Sequence, residues 1–367
     1  MKKSRVKSLY IHIPFCHDIC GYCDFPKIRY FPQLAKQYLS SLKKELDSLE
    51  IKEPLETIYI GGGTPTALSD EEFLFLLQMV EPYSKNIKEY TIEANPESLS
   101  LNKIKMMKEY GVNRVSLGVQ SLDDNILKIL NRHHTFLDVN NAINNLKKEG
   151  IDNISCDLIL GLPHSSKEIL KHDLEALTKL NITHISCYSL TIHPNTIFYL
   201  NNYKELEDDQ IRDLYDIVKE ILEEKGFIQY EVSNFAKENK RSLHNLTYWN
   251  DEEYYGVGLG AASYVDGKRN KNTLNMNKYI NGEYLDESLE ISKEEDIKYF
   301  LMLNLRKVEG FSLDNFKARF GFDIREKKKK EIEELVKNNL LRMNQNRLFP
   351  SYQGLMTLDN VLMSLFW

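Results

Sequence analysis

The sequence predicts an α/β fold: a partial barrel of six strand–helix units, followed by a winged-helix-like α+β module. Three observations lead there. Short runs rich in Ile, Val, Leu and Tyr, bounded by polar or Gly/Pro residues, recur at 8–15, 57–60, 89–94, 114–119, 153–160 and 184–191, as buried strands do. Segments with helical spacing separate or follow them, at 34–49, 71–80, 101–110, 137–148, 168–180 and 211–224, and such alternation implies a parallel sheet with right-handed crossovers. Polar or permissive residues then mark nearly every strand end: the clustered cysteines, Gly61-Gly62-Gly63-Thr64-Pro65, Glu93 with Asn95-Pro96, Gln120, Asp157 with Gly161-Leu162-Pro163, and Thr191 with His193-Pro194. A barrel gathers its site from many strand ends, whereas an open sheet concentrates it at one switch point.

The elements follow in order. Ser69 with Glu72 and Ser165 with Glu168 read as capping boxes, and Gly150 and Gly226 as helix ends. A weaker seventh strand is expected at 227–232. Residues 241–285, rich in Asn, Tyr and Gly, read as an extension packed on the barrel mouth. From Ser292, capped with Glu295, helices are expected through Leu305, at 313–320 and at 324–338, then short strands at 341–343 and 347–350. Three helices and a hairpin resemble a winged helix. The expected units are thus a barrel at 1–240, an extension at 241–291 and a C-terminal module at 292–367. The basic run from Arg325 is interleaved with Glu326 and Glu331 and reads as a solvated helix rather than a nucleic-acid contact.

Composition narrows the function. The chain has 367 residues, 42% hydrophobic and 11% aromatic, which excludes a disordered chain. With 48 Lys plus Arg against 54 Asp plus Glu, its net charge of -6 argues against a polyphosphate partner, so no nucleic acid is expected. No apolar run reaches the roughly 20 residues a membrane span needs, and the start lacks a secretory apolar stretch and cleavage site. A cytoplasmic protein is expected; a peripheral membrane contact, and the choice between monomer and homodimer, stay open.

Of the five cysteines, Cys156 and Cys187 lie in apolar runs and read as small buried residues. Cys16, Cys20 and Cys23 fall within eight residues. Three thiols on one loop in a reducing compartment point to a metal or a redox role. A structural zinc closes its tetrahedron with a fourth Cys or His; His12 and His17 are near, but one is on the preceding strand, the other is within the tight loop, and there is no second Cys pair. A cubane cluster held by three thiolates keeps one iron open. The residues alone leave cluster, zinc and unliganded thiols as alternatives.

The run Tyr10-Ile-His-Ile-Pro-Phe-Cys16-x3-Cys20-x-Tyr22-Cys23, followed by GGGTP at 61–65, resembles the radical S-adenosylmethionine (SAM) superfamily. Within it, the chain looks like the branch of oxygen-independent coproporphyrinogen III oxidase and the related radical SAM haem chaperones, over essentially its whole length. The resemblance implies a radical SAM partial barrel in which Cys16, Cys20 and Cys23 hold a [4Fe–4S] cluster. Its open iron would take the amino and carboxylate groups of SAM, and reduction would cleave the sulfonium to methionine and a 5′-deoxyadenosyl radical. It also implies that Tyr10 and Tyr22 contact SAM, that Gly62, Gly63 and Thr64 line its methionine side, and that Glu93 accepts a hydrogen bond from it. Gln120, Arg132 and Asp157 match positions that hold a second SAM in the oxidase; Thr191 matches an alanine there. Taken alone, Glu93 is equally well a structural cap, and Arg132 a partner of some exposed carboxylate.

Two departures separate the branches. The oxidase has a further cysteine two residues after the third ligand and a sizeable segment before its first strand; here Asp24-Phe25 follows Cys23, and nine residues precede Tyr10. Porphyrinogen oxidation is therefore not expected, and whether the chain is an enzyme stays open. His244-Asn245-Leu246-Thr247-Tyr248-Trp249 looks like the HNxxYW motif of the chaperone branch. It offers an imidazole able to ligate iron, and Tyr248 and Trp249 as flat faces for a porphyrin. The resemblance thus implies haem as cargo, acceptor haemoproteins such as respiratory enzymes, and an electron donor. The alternatives are the oxidase itself and a non-catalytic iron–sulfur scaffold.

Overall fold

Six parallel strands form the body of the chain: β1 (Ser8–Ile13), β2 (Thr57–Gly62), β3 (Glu89–Ala94), β4 (Arg114–Gln120), β5 (Asn153–Leu160) and β6 (His184–Ser189). They come from a computed structural model that describes residues 6–366; the ends of the first and last expected units, residues 1–5 and 367, lie outside the described residues. The helices α1 (Pro32–Ser48), α2 (Asp70–Val80), α3 (Leu101–Glu109), α4 (Phe136–Lys148), α5 (Lys167–Thr178) and α6 (Asp208–Glu224) cover the outer face.

Side-chain alternation along a strand sorts this sheet into two environments. Leu9, Ile11, Ile58, Ile60, Ile92, Val115, Leu117, Ile154, Cys156, Ile185 and Cys187 point outward under the helices and build the main core. Tyr10, His12, Tyr59, Glu93, Arg114, Ser116, Asp157, His184 and Ser186 occupy the alternate, inward positions. The barrel lumen is therefore polar and aromatic, and the solitary cysteines belong to the outer core.

The closing strands depart from expectation. The region expected as a seventh parallel strand gives only the two-residue β7 (Ile228–Gln229), paired with β8 (Asn234–Ala236), which runs antiparallel to β6. A turn causes this: the Tyr230 N–H bonds back to Asn234 O at 3.1 Å. At the other edge β9 (Tyr255–Val257) pairs in parallel with β1. Between β8 and β9 runs α7 (Leu243–Trp249), which packs against the N-terminal ends of the strands: His244 bonds Thr57 and Thr247 bonds Ser8. The extension thus first seals the barrel floor, because buried Ser8, Thr57 and Glu89 need polar partners there. It reaches the mouth only after β9, where Gly260 meets Pro26 and Leu274.

Smaller differences have local causes. The α5 cap is Ser166, whose hydroxyl accepts from the Ile169 N–H, so Ser165 is not the cap. The helix expected at 324–338 breaks at Lys328, φ -121°, into Ile324–Lys327 and Lys329–Lys337. The capping box at Ser292–Glu295 and the strands at Leu341–Met343 and Arg347–Pro350 form as expected, while the helices Tyr352–Met356 and Leu358–Leu365 complete the module unannounced. This module has its own core around Leu301, Phe316, Leu348 and Val361. Asp251 joins it to the extension, its fully buried carboxylate gripped by Arg269 at 2.5 Å and Arg319 at 2.8 Å.

Candidate functional site

The cysteine loop leaves the C-terminal end of β1 and is pinned from several sides. Tyr30 N–H bonds Cys16 O at 2.8 Å, Phe198 N–H bonds Gly21 O at 2.9 Å, Gly21 N–H bonds Leu130 O at 3.2 Å, and Asn131 Nδ2 donates to Ile19 O at 3.0 Å. Gly21 is required, since a Cβ there would lie 2.8 Å from the Phe198 ring. All three thiols are free and half-buried. Burial pushes Cys16 up to about 12 and Cys23 up to about 11, opposed by the Thr64 hydroxyl at Cys16 and the Lys27 charge at Cys23. Such thiols become thiolates at neutral pH when a metal displaces the proton.

Among the described residues, no three His, Cys, Asp or Glu side chains close on a single ion. Zinc draws its thiolates to about 2.3 Å from one centre, whereas a four-iron cluster holds them further apart. The donor set, three thiols with Arg132 beside Cys20 to offset thiolate charge, fits the cluster. Thr64 Oγ1 lies 3.6 Å from Cys16 Sγ and accepts from Asn95 Nδ2 at 3.2 Å.

The glycine turn at the end of β2 lies beside the loop. Gly63 and Thr64 N–H groups bond Ile13 and Phe15 carbonyls at 2.8 Å each. A Cβ on Gly63 would meet the Pro14 carbonyl carbon at 2.7 Å, and one on Gly61 the Glu93 carboxyl carbon at 2.5 Å. Gly62 adopts φ +108°, a conformation open to glycine, and its N–H bonds Glu93 Oε2 at 2.9 Å. Glu93 Oε1 accepts from the Tyr59 hydroxyl at 2.6 Å. Burial raises Glu93 above the usual carboxylate range, opposed by the Tyr59 and Gly62 bonds. Tyr10 bonds His12 Nδ1 at 2.9 Å, and His12 Nε2 meets Pro26 O at 2.8 Å. With Nε2 carrying the proton, Nδ1 accepts from Tyr10.

Gln120, Arg132 and Asn95 converge around Gly118, whose absent Cβ would stand 3.0 Å from both Asn95 Oδ1 and Gln120 Nε2. Arg132 Nη2 donates to Gly118 O at 2.6 Å and lies 3.7 Å from Glu97. Among the described residues, Gln120 Oε1 and Arg132 Nε are buried without a hydrogen-bond partner, as polar groups awaiting a ligand would be. Asp157 lies inside the lumen, accepting from Ser116 at 3.0 Å and from Ser155 at 3.4 Å. Tyr22 packs edge-on against Phe198. Thr191, by contrast, is exposed beyond β6.

The histidine motif lies at the opposite end of the barrel. His244 is fully buried. Its Nδ1 bonds Thr57 Oγ1 and its Nε2 bonds the Tyr248 hydroxyl, both at 2.8 Å. Burial, aided by Arg114, lowers it to about 3, so the ring is neutral. Tyr248 also packs against Tyr254 with ring centroids 4.7 Å apart, while Arg306 stacks on Trp249. The structure therefore gathers the cysteines, glycines, Thr64, Glu93, Gln120 and Arg132 at the mouth, and places His244 toward the floor, with the Tyr59 side chain between it and Glu93.

Sequence reasoning passed over Tyr59, Glu89 and Arg114. Strand alternation was the available signal: each is a polar or amphipathic residue within a strand whose outward positions are apolar.

Comparison with known proteins agrees with this geometry. Residues 10–177 match the family model of the radical SAM superfamily, and residues 291–357 that of the HemN C-terminal domain. The chain is 38% identical to the haem chaperone HemW of Bacillus subtilis over 364 residues, covering 95% of this chain and 96% of that protein. It is 37% identical to HemW of Lactococcus lactis, covering 97% and 96%, and 33% identical to HemW of Escherichia coli, covering 88% of each. The solved coproporphyrinogen III oxidase HemN of Escherichia coli shares the fold, with a TM-score of 0.84 at 22% identity, covering 99% of this chain and 90% of that one.

Proposed function

This chain belongs to the radical SAM haem-chaperone family, and from that premise we propose that it binds haem and passes it to acceptor haemoproteins such as respiratory enzymes, with a [4Fe–4S] cluster and SAM at the barrel mouth. The observation that carries this reading is the full-length likeness to several haem chaperones, at 32–38% identity. Cys16, Cys20 and Cys23 would hold the cluster. Tyr10, Tyr22, Gly62, Gly63, Thr64 and Glu93 would hold SAM, and Gln120, Arg132, Asp157 and Thr191 are further candidate contacts. Bound together, the two groups supply reductive cleavage of a sulfonium bond, for which an electron donor is needed.

The chain's own residues prepare that mouth. Glu93 presents a carboxylate whose two oxygens are already oriented by Tyr59 and Gly62. Phe198, Leu130, Leu162 and Leu190 form an apolar cluster behind Tyr22 that keeps water from one side of the loop.

For haem, His244 supplies a neutral imidazole, the form that ligates iron, with Tyr248 and Trp249 as neighbouring aromatic faces. Both ring nitrogens are engaged within the protein, so ligation exchanges one of those bonds for iron. The bond to Tyr248 is the local one, four residues along the same seven-residue helix.

Anaerobic reconstitution followed by two paired assays tests the proposal. Stoichiometric haem binding that is strongly weakened by His244→Ala, together with unchanged coproporphyrinogen III, is the expected result. Conversion of the porphyrinogen to protoporphyrinogen IX would establish the oxidase instead, and a protein that neither binds haem nor cleaves SAM would be a scaffold.

A further inference from the structure

Tyr59 touches both ends of the lumen that the proposed function uses. On the mouth side its hydroxyl donates to Glu93 Oε1 at 2.6 Å, and the other oxygen of that carboxylate accepts from the Gly62 N–H at 2.9 Å. On the floor side its ring lies against the His244 imidazole, with centroids 5.2 Å apart and planes at 31°. Its third neighbour is Tyr10, 6.2 Å away between ring centroids. The register explains the position: Tyr59 pairs with Tyr10 on one side and Thr91 on the other, one inward step below Gly61 and above Thr57.

This arrangement confines Glu93. A carboxylate with two donors on separate oxygens has little freedom to rotate, and one donor is a phenol whose ring is set by its packing. Gly62 depends on the same carboxylate, since its N–H has Glu93 as partner in a turn with φ +108°. Burial keeps the phenol protonated and hence a donor. The contacts run His244, Tyr59, Glu93, Gly62, each touching the next.

We infer that Tyr59 is a positioning residue: it holds Glu93, and through Glu93 the Gly62 turn, in the form that receives SAM, and it transmits displacement of His244 to that turn. The inference rests on the proposed SAM site and the proposed role of His244. A His244 ring that turns to meet iron removes the surface against which Tyr59 packs. Haem and SAM then alter each other's affinity by the same factor, as linkage requires.

Equilibrium binding of SAM to the reconstituted protein tests the first link. Tyr59→Phe keeps the ring and removes the donor, and is expected to retain full iron content while weakening SAM about tenfold, which corresponds to about 1.4 kcal/mol. Wild-type SAM affinity in that variant overturns the inference. Glu93→Gln guards against a general loss of structure: Tyr59→Phe added to Glu93→Gln should weaken SAM no further, and an additive loss in the double variant shows that Tyr59 does not act through Glu93. For the second link, SAM affinity is measured with and without saturating haem; a severalfold difference supports transmission, and equal affinities overturn it. A wild-type protein that binds no haem overturns the proposed function and this second link together, while the Tyr59→Phe result is read with SAM alone.

Discussion

Glu89 and His244, 155 residues apart, meet where a carboxylate caps a helix: Glu89 Oε1 accepts the His244 N–H at 3.0 Å on the floor of the barrel. The same carboxylate takes the Leu243 N–H at 2.8 Å and the Ser242 hydroxyl at 3.3 Å. The first N–H groups of a helix have no intrahelical partner and carry partial positive charge, so Glu89 fastens α7 to the start of β3. The Arg114 guanidinium, wholly buried nearby, feels Glu89 as its largest favourable charge.

Glu89→Ala leaves those donors without their buried acceptor and takes from the Arg114 charge its largest favourable neighbour. Removing one member of a buried charged set costs about 3–5 kcal/mol, so urea unfolding should show a loss of at least about 3 kcal/mol. A loss below about 1 kcal/mol would mean that water replaces the carboxylate on the floor.

The cysteines should separate by iron content. Cys16→Ser is expected to purify with little or no iron and an unchanged far-ultraviolet circular dichroism spectrum, because Cys16 lies in the two-residue strand Phe15–Cys16 beyond β1, with a half-buried side chain. Cys156→Ser and Cys187→Ser, altered in the outer core, should keep iron while losing about 1–3 kcal/mol for a buried hydroxyl. Loss of iron in either core variant would contradict this division.

Gly63→Ala is expected to destabilise by about 1–3 kcal/mol, because overpacking against fixed backbone forces the loop to move and the new Cβ would stand within 2.9 Å of Pro14, Ile13 and Phe15 backbone atoms. SAM affinity should fall as well, since the displaced strand carries the cysteine loop. Normal stability and normal SAM affinity together would show that the loop yields freely.

Tyr248→Phe retains the aromatic face but frees His244 Nε2 from its hydroxyl partner. One neutral hydrogen bond is worth about 1 kcal/mol, so haem titration should show binding about fivefold tighter than wild type. Weaker binding would point to Nδ1, or to another residue, as the ligand.

Glu231 gives the stability a pH dependence. It is 1% exposed, with Oε1 unpartnered among the described residues, and burial raises it from 4.5 to about 7. The folded state therefore holds this proton more tightly than the unfolded chain. Its stabilising effect is full below about pH 4.5, and is lost as pH rises through about 7. The gap amounts to about 3 kcal/mol by pH 8. Glu231→Gln should raise the melting temperature at pH 8 and change it little at pH 5; the same increment at both values would assign the effect to packing.

The alternation of strands and helices, the capped C-terminal helix and the cysteine loop were all legible in the sequence because each rests on local pattern. Period-2 runs, Ser–x–x–Glu caps and cysteine spacing involve residues a few positions apart, so covalent geometry alone constrains them. The same pattern that marked Ile58 and Ile60 as core also marked Tyr59 as inward-facing, but it did not say what Tyr59 would meet. That it meets Glu93 on one side and His244 on the other depends on strand register and on where a helix 185 residues later packs.

The sequence by itself determined the barrel class, the separation of three loop cysteines from two core cysteines, and the glycine turn beside them. Tertiary structure decided that the edge after β6 turns antiparallel, that the HNxxYW helix seals the floor instead of covering the mouth, and that both nitrogens of its histidine are already bonded. The reason is physical: inward polar residues at the strand starts have to be satisfied by whatever chain can reach them, and only the folded partial barrel brings α7 to Ser8, Thr57 and Glu89.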